Sequence, residues 1–170
     1  YLGVKPIKID SKDLTAGRRK RLYWTNLSVD EIKKNDIELS SILESDAITD
    51  KKKAFCLTLH SGTLRDYFKK SQSNIVYIPT ESKEGSYEVV NGLIKMKFKR
   101  GKNPNEEFVF KTKVPDGFYK FRELTLGELC SLQGVNPLYF KHTTRRRAMM
   151  MLGNGWTIPV IKHIFKNMKA

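Results

Sequence analysis

The sequence predicts an α+β fold, and three observations support this prediction. Residues 4–27 contain two strand-like segments, residues 54–114 have mostly β-forming patterns, and the last third of the chain has helical periodicity. Strands followed by a β-rich middle and then by helices are typical of the α+β class. A chain of 170 residues can bury one good core with a small appended lobe.

The first third of the chain is expected to hold two strands and short helices. Apolar residues alternate with polar ones over residues 4–9, which predicts a strand followed by a turn, and "RLYWTNL" (21–27) has strand composition. The basic segment "TAGRRKR" between them is expected to be a loop or a short helical turn. Ser28 with Glu31 forms a candidate capping pair, which predicts short helices from there to about Ser45.

The middle of the chain contains a strong hairpin signal. In "YEVVNGLIKMKFK", Asn91-Gly92 joins two strand-like runs, and both central residues of a type I′ turn need positive φ. The alternation of the second run places three apolar residues on one face and three lysines on the other; these are Ile94, Met96 and Phe98, and Lys95, Lys97 and Lys99. The lysine row is either a phosphate-binding face or the solvated side of the sheet. We expect "RGKNPNEE" to be a loop and "FVFKTKV" a further strand.

A capping box marks the first helix of the last third. Thr125 and Glu128 have the spacing of this motif, and Leu124 and Leu129 stand where a hydrophobic staple would pack. The helix is expected to run from about Leu126 to Gln133 and to end at Gly134.

Two further helices are predicted after it. One should follow Thr143 or Thr144, and the other should run from Ile158 to about Met168, with Pro159 in its first turn, where a missing N–H does no harm. On the last helix an apolar face is predicted from Val160, Ile161, Ile164, Phe165 and Met168.

The charge of the chain points to a polyanionic partner. The formal net charge is +14, and no acidic residue follows Glu128. Nucleic acid is the first candidate, and a solvated lysine-rich surface is the alternative. Cys56 and Cys130 lie far apart and the histidines do not cluster, so we expect neither a disulfide nor a zinc or other metal site. No apolar run approaches membrane-spanning length and no signal peptide opens the sequence, so we expect a cytoplasmic protein.

Three segments together resemble a known family. They are "TAGRRKRLYWTN" (15–26), "RELTLGELCSLQG" (122–134) and "MLGNGWTIPVIKHIF" (151–165). In this order and spacing they resemble the last three conserved motifs of cytosine-5 DNA methyltransferases, closest to the bacterial and phage enzymes and the animal de novo enzymes.

The resemblance implies a fold and an activity. The fold would be the terminal part of an S-adenosylmethionine-dependent α/β domain with an inserted β-rich target recognition domain. It divides the chain into residues 1–27, the end of the catalytic domain; 28–120, the recognition domain; and 121–170, a helical return to the catalytic domain. The activity would be methyl transfer from S-adenosylmethionine to C5 of a cytosine flipped out of double-stranded DNA.

The first segment would supply catalytic residues. The family motif reads Gln-x-Arg-x-Arg, and here Gly17 replaces the glutamine, as in the animal de novo enzymes, while Arg19 and Arg21 are present. The resemblance implies that Arg21 donates to O2 of the flipped cytosine and that Arg19 braces the same site. A guanidinium suits this task because it keeps its proton and presents a fixed fork of donors. The alternative is that both arginines bind phosphates or are surface charges.

The third segment would supply the cofactor edge. The resemblance implies that Asn154, Gly155 and Trp156 complete the S-adenosylmethionine pocket near the amino-acid end of the cofactor. The alternative is an αL cap at Asn-Gly with the tryptophan in the core. Three methionines, Met149 to Met151, are expected to be packing on the preceding helix.

The second segment would be architectural. Arg122 and the helix after it are expected to pack the recognition domain against the catalytic one. Leu126, Leu129 and Leu132 are expected in the core, and Gln133-Gly134 is expected to be a cap and turn.

Parts of the family's catalytic machinery are missing from the sequence. Neither cysteine follows a proline, as the family's nucleophile does, and the Glu-Asn-Val motif and the glycine-rich cofactor segment are absent. We therefore expect a C-terminal half that needs a companion chain or N-terminal half carrying Pro-Cys, and the initial Tyr1 fits a fragment. A non-catalytic DNA-binding or regulatory subunit, or an RNA cytosine methyltransferase, are the alternatives. Base readers are expected on loops of residues 50–115, such as "HSGTLRD" or "KRGKNPNE".

Overall fold

The computed structural model describes residues 3–57, 74–100 and 103–168, and these residues have mixed α and β structure with two antiparallel sheets. The α+β prediction is confirmed at this level. The backbone divides into two compact units. Unit 1 contains the described residues of Tyr1–Ile42, Lys52–His60 and Thr125–Ala170, and unit 2 contains those of Leu43–Lys51 and Ser61–Leu124. The expected functional division at residues 27 and 120 is a separate matter and stays a prediction.

Unit 1 begins with the two strands expected from the sequence. Strand β1 (Ile7–Asp10) and strand β2 (Lys20–Tyr23) pair antiparallel, with Ile9 opposite Arg21. A 3₁₀ turn, Ser11–Asp13, follows β1 and is capped by Asp10, whose Oδ1 accepts from the Lys12 N–H at 3.2 Å. The same oxygen accepts from the backbone N–H of Arg19 at 3.1 Å, so one carboxylate fixes both ends of the connecting loop.

The helices of unit 1 confirm most of the expected boundaries. They are α1 (Leu126–Gln133), α2 (Arg145–Asn154) and α3 (Ile158–Ile164), with short 3₁₀ segments at Pro137–Phe140 and Phe165–Asn167. Both hydrogen bonds of the predicted capping box are present, and Gly134 ends α1 with a φ of 68°. Thr144 caps α2.

The predicted apolar face of the last helix is only partly buried. Val160 and Ile164 pack with Ile9 in the core of unit 1, whereas Phe165 and Met168 are 46% and 59% exposed. The helical geometry that would continue the face ends at Ile164, where a 3₁₀ turn begins.

The short helices expected from Ser28 to about Ser45 are absent from residues 28–38, and one short 3₁₀ helix forms at the end of this range. Residues 24–38 contain no helix and no strand, and only Leu39–Ile42 forms a 3₁₀ turn. Two backbone carbonyls that would accept hydrogen bonds within a helix contact side chains of the C-terminal segment instead. The Ser28 carbonyl accepts from Asn167 Nδ2 at 3.3 Å, and the Asp30 carbonyl lies 2.9 Å from His163 Nε2. The segment is therefore irregular, and tertiary contacts outweigh its weak capping pair.

Unit 2 is built on a five-stranded antiparallel sheet, as far as the chain is described. The strand order is β3-β7-β4-β5-β6. The strands are β3 (Ile75–Thr80), β4 (Tyr87–Val90), β5 (Leu93–Arg100), β6 (Asn103–Lys111) and β7 (Gly117–Glu123). The core on one face comprises Ile75, Tyr77, Val89, Ile94, Met96, Val114 and Tyr119.

The predicted hairpin between β4 and β5 is confirmed. Asn91 and Gly92 have φ values of 52° and 68°, and Asp116 accepts from both of their backbone N–H groups, at 3.0 and 3.4 Å. Ile94 and Met96 are buried while Lys95 and Lys97 are exposed, as the alternation predicts. The side chains of Phe98 and Lys99 lie outside the described part of the chain, as does the segment "HSGTLRD".

Two features of the sheet differ from expectation. The described residues of "RGKNPNEE" are strand instead of the expected loop, because β5 continues to Arg100 and pairs there with Asn103, the first residue of β6. Pro104 is tolerated in β6 because this strand lies at an edge of the sheet. Strand β7 was not expected, yet it lies between β3 and β4 and carries the aromatic residues typical of a strand, including Tyr119 and Phe121. Every helix among the described residues is too short or too polar to cross a bilayer.

Candidate functional site

Arg19 connects the first and third of the three motif-like segments within unit 1. Its side chain is 4% exposed, and Nη2 donates to the carbonyl oxygens of Gly153 and Gly155 at 2.6 and 2.7 Å. Nη1 lies 3.9 Å from the Cys56 sulfur, and Nε is buried without a hydrogen-bond partner in the structure. Two carbonyls 134 and 136 residues away in sequence are therefore held by one guanidinium.

The charge of Arg19 is placed in unfavourable surroundings. Burial lowers the pKa of Arg19 below its ordinary value, and the nearby positive charge of Arg21 lowers it further. An arginine nevertheless keeps its proton in a protein, so the two carbonyls face a permanent cation. Charge-assisted hydrogen bonds of this length are stronger than neutral ones.

Arg21 follows on strand β2 and is exposed. Residues two apart on an extended chain share a face, so Arg19, Arg21 and Tyr23 lie in one row. Burial raises the pKa of the Tyr23 phenol, and the two arginines partly offset that rise. The row combines one buried and one exposed guanidinium, so the fold brings the two predicted catalytic residues together but gives them different surroundings.

The packing of the loop before Arg19 explains why glycine occupies position 17. Gly17 forms an isolated parallel β-bridge with Ala54. A Cβ added at Gly17 would lie 3.3 Å from Leu132 Cδ2. The backbone at this position therefore lies directly against helix α1, and a longer side chain would have to displace a core leucine. The same packing joins the first and second motif-like segments.

The Gly-Asn-Gly-Trp sequence differs from the turn that we expected. Gly153 and Asn154 are the last residues of α2, and Gly155 follows with a φ of −66° and a ψ of 178°, so it is extended and not an αL cap. Glycine is required at 155 for a different reason: a Cβ there would lie 2.8 Å from the Met151 carbonyl oxygen, which accepts from the Gly155 N–H at 2.7 Å. The alternative of a plain αL cap with a core tryptophan is wrong, because Trp156 is 60% exposed.

Residues 153–157 alternate between held and exposed positions. Arg19 holds the carbonyls of Gly153 and Gly155, while Thr157 is fully buried and donates from Oγ1 to Gln133 Oε1 at 2.7 Å. The residues between them, Asn154 and Trp156, are exposed. This alternation presents an amide and an indole on a fixed backbone, and we call residues 153–157 the display segment.

A cavity of about 550 Å³ lies beside the display segment in unit 1. This volume is in the usual range of small-molecule pockets. The lining is mostly apolar and comes from the end of α1, the 3₁₀ turn after it, the end of α2 and the start of α3; it includes Val135, Asn136, Tyr139, Met151, Trp156 and Ile158. Met151 was expected to be buried packing, but it is 59% exposed at this cavity.

The second segment contacts both of the others: Leu132 lies against Gly17 of the first, and Gln133 accepts a hydrogen bond from Thr157, which is in the third. Leu129 and Leu132 are buried, as expected, and Leu126 is half-buried. Gln133 is buried against Thr157, so it is more than a cap. In unit 2, the Arg122 guanidinium donates to the carbonyls of Glu44 and Glu123 at 3.1 and 3.0 Å.

Exposed cations surround the first turn of α2. Arg145, Arg146 and Arg147 are all exposed, and no acidic residue lies in this turn. Cations are unfavourable at a helix N-terminus because they oppose the helix dipole. This local cost is compatible with contact with a polyanion.

No model of a known protein family matches the chain, and no curated protein sequence is significantly similar to it. Sequence reasoning missed the Gln133–Thr157 contact and the position of Cys56, because nothing in the local pattern around Cys56 or Thr157 marks their distant partners.

Proposed function

We propose that the chain is the C-terminal portion or subunit of a DNA cytosine-5 methyltransferase. The observation that carries the proposal is the hydrogen bonding of Arg19 to Gly153 and Gly155. In the family that the sequence resembles, the two-arginine motif serves the flipped cytosine and the third segment serves the cofactor. A direct contact between these segments is what one shared active centre requires.

The residues present fit S-adenosylmethionine at the display segment. Asn154 offers an exposed amide for the amino-acid end of the cofactor, the Gly155 backbone is held close by, and Trp156 offers apolar area beside a cavity of about 550 Å³. S-adenosylmethionine supplies the methyl group when it is bound. The part assigned to this chain is to bind and orient it along one edge.

Arg21 is the residue that we assign to the base. Its exposed guanidinium can donate to O2 of a flipped cytosine and offset the negative charge that builds up when a nucleophile adds to the ring. Its buried neighbour Arg19 holds the display segment and braces the site. The nucleophilic cysteine is assigned to a companion polypeptide with Pro-Cys, because neither Cys56 nor Cys130 follows a proline.

The basic surface is assigned to double-stranded DNA. The net charge of +14 and the exposed arginines of α2 suit the phosphate backbone. Exposed Lys95 and Lys97 on the sheet of unit 2 offer further phosphate contacts in the part proposed to select the target sequence.

The test is methyl transfer from radiolabelled S-adenosylmethionine to DNA by this chain, by the companion chain or N-terminal half that carries Pro-Cys, and by the mixture. We expect transfer only by the mixture. Transfer by this chain alone, or none by the mixture although the two polypeptides bind each other, would contradict the proposal. Replacing DNA with RNA separates the RNA methyltransferase alternative.

Arg21→Ala distinguishes an enzyme part from a non-catalytic DNA-binding subunit. Because Arg21 is exposed, its loss should leave the fold intact. The enzyme proposal predicts that turnover by the mixture falls at least about a hundredfold, the usual effect of removing a donor to developing negative charge, while DNA affinity changes little. A binding subunit should lose affinity and part of its salt dependence instead. Lys20→Ala, at the neighbouring exposed position of β2, is the matched control.

A further inference from the structure

The display segment has a third anchor that the motif resemblance does not assign. Thr157 is the N-cap residue of α3, yet its hydroxyl makes no capping hydrogen bond. It donates instead to Gln133 Oε1 at 2.7 Å, and both residues are buried, at 0% and 4% exposed. The partner is the last residue of α1.

The sequence of α3 explains why this hydroxyl is available. A threonine at an N-cap usually accepts from the N–H of the second or third helical residue. Here the second helical residue is Pro159, which has no N–H, and the Val160 N–H donates to the Thr157 carbonyl at 3.0 Å. The Thr157 hydroxyl therefore makes no capping hydrogen bond in α3 and donates instead to Gln133 at the end of α1.

A second contact fixes the same two helix ends. Gly134 has a φ of 68°, and a Cβ added to it would lie 2.7 Å from Pro159 Cδ and 3.5 Å from Ile158 Cβ. The end of α1 thus lies against the start of α3 with no room for a side chain. Together with the Gln133–Thr157 hydrogen bond, this contact fixes the chain immediately after Trp156.

We propose that Gln133 is a positioning residue, which acts through Thr157 to fix Trp156 beside the cavity. Arg19 holds the backbone before Trp156 at Gly155, and Gln133 holds it after Trp156, so the indole has a defined position although it is 60% exposed. The consequence for S-adenosylmethionine rests on the proposed function. Loss of the contact between Gln133 and Thr157 should weaken the binding of the cofactor to this edge, although Gln133 itself does not contact the cofactor.

The experiment uses Trp156 as its own reporter. The chain has two tryptophans, so all variants are made in a Trp24→Phe background, which leaves Trp156 as the single indole. Time-resolved fluorescence anisotropy then measures the fast local motion of Trp156. Thr157→Val, which removes the hydroxyl but keeps the shape, is expected to raise the amplitude of this motion about twofold, because side chains released from packing move on the nanosecond timescale.

Three further variants separate positioning from stability. Thr157→Ser keeps the hydroxyl and should restore the parent amplitude. Gln133→Leu combined with Thr157→Val replaces both polar partners with apolar groups, which is often nearly neutral for stability, yet the directional contact stays lost and the amplitude should stay high. Tyr77→Phe removes a buried hydrogen bond to Thr112 Oγ1 (3.0 Å) in unit 2 and should leave Trp156 unchanged.

The outcomes are distinguishable from those of the proposed function. Equal Trp156 amplitudes in Thr157→Val, in the double variant and in Thr157→Ser would overturn the positioning role, whatever the cofactor does. Calorimetric titration with S-adenosylmethionine, with the companion polypeptide present, should show about fivefold weaker binding for Thr157→Val, the effect expected from one hydrogen bond. Altered amplitudes without any cofactor binding by the parent would support the positioning role and contradict the proposed function.

Discussion

Replacing Arg19 with methionine is the sharpest test of how the candidate site is held together. The substitution keeps most of the apolar stem and removes the guanidinium, whose Nη2 donates to the carbonyls of Gly153 and Gly155. Both carbonyls would then lose a charged donor in a partly buried place. The display segment should loosen and unit 1 should lose stability.

The magnitude follows from the two hydrogen bonds and the cost of burial. Hydrogen bonds from a charged donor contribute about 1.5–3 kcal/mol each, so the gross loss is about 3–6 kcal/mol. Part of this is returned, because the lowered pKa of Arg19 reflects an unfavourable buried charge that methionine removes. A net loss of about 2–4 kcal/mol corresponds to a fall in melting temperature of roughly 5–15 °C for a chain of this size.

The assay is urea unfolding followed by tryptophan fluorescence. Both tryptophans, Trp24 and Trp156, belong to unit 1, so the signal reports that unit. Arg18→Met is the matched control, because Arg18 is exposed and its guanidinium only lies over the Phe55 ring at 5.8 Å, a contact of about 0.5–1 kcal/mol. Equal unfolding midpoints for the two variants would refute the structural role that we give to Arg19.

Four further predictions concern a tight contact, a helix cap and the two cysteines. Gly134→Ala should destabilise unit 1 by about 1–3 kcal/mol more than Gly3→Ala. Both glycines belong to unit 1 and have positive φ, but only at Gly134 would an added Cβ meet a neighbour. The difference in urea unfolding therefore isolates overpacking, and equal losses would contradict it. Thr125→Ala should cost about 0.5–2 kcal/mol, and Thr125→Ser, which keeps the capping oxygen, should cost much less. Burial raises the pKa of the Cys130 thiol, so the unfolded chain releases this proton at a lower pH than the folded chain does. The free energy of unfolding should therefore fall above about pH 8.5. Cys130→Ala should make the free energy of unfolding less dependent on pH in this range. Brief iodoacetamide treatment of the native chain should label exposed Cys56 alone by mass spectrometry, and labelling of both cysteines would contradict the burial of Cys130.

Local signals in the sequence predicted local structure well. The capping box at Thr125, the αL glycine at 134 and the Asn91-Gly92 turn each depend on hydrogen bonds or φ angles within a few residues, and each is present. The caps and turns could be predicted because their physical cause lies inside the motif itself.

Distant contacts decided the features that the sequence did not predict. The candidate capping pair at Ser28 does not start a helix, because the Ser28 and Asp30 carbonyls contact the C-terminal segment, more than 130 residues away. The two carbonyl partners of Arg19 are equally remote, so the sequence could indicate an important arginine but not what it holds. Propensity and spacing carry no information about such partners.

The alternation along residues 153–157 has a consequence for how the site can change in evolution. Substitutions at Gly155 or Thr157 disturb the backbone of the segment, whereas those at Asn154 and Trp156 alter exposed side chains. Selection can therefore vary the two exposed side chains of the proposed cofactor edge while the held positions preserve the fold. A saturation library at Asn154 and Trp156 should contain many stable variants, which makes this segment a natural starting point for directed evolution.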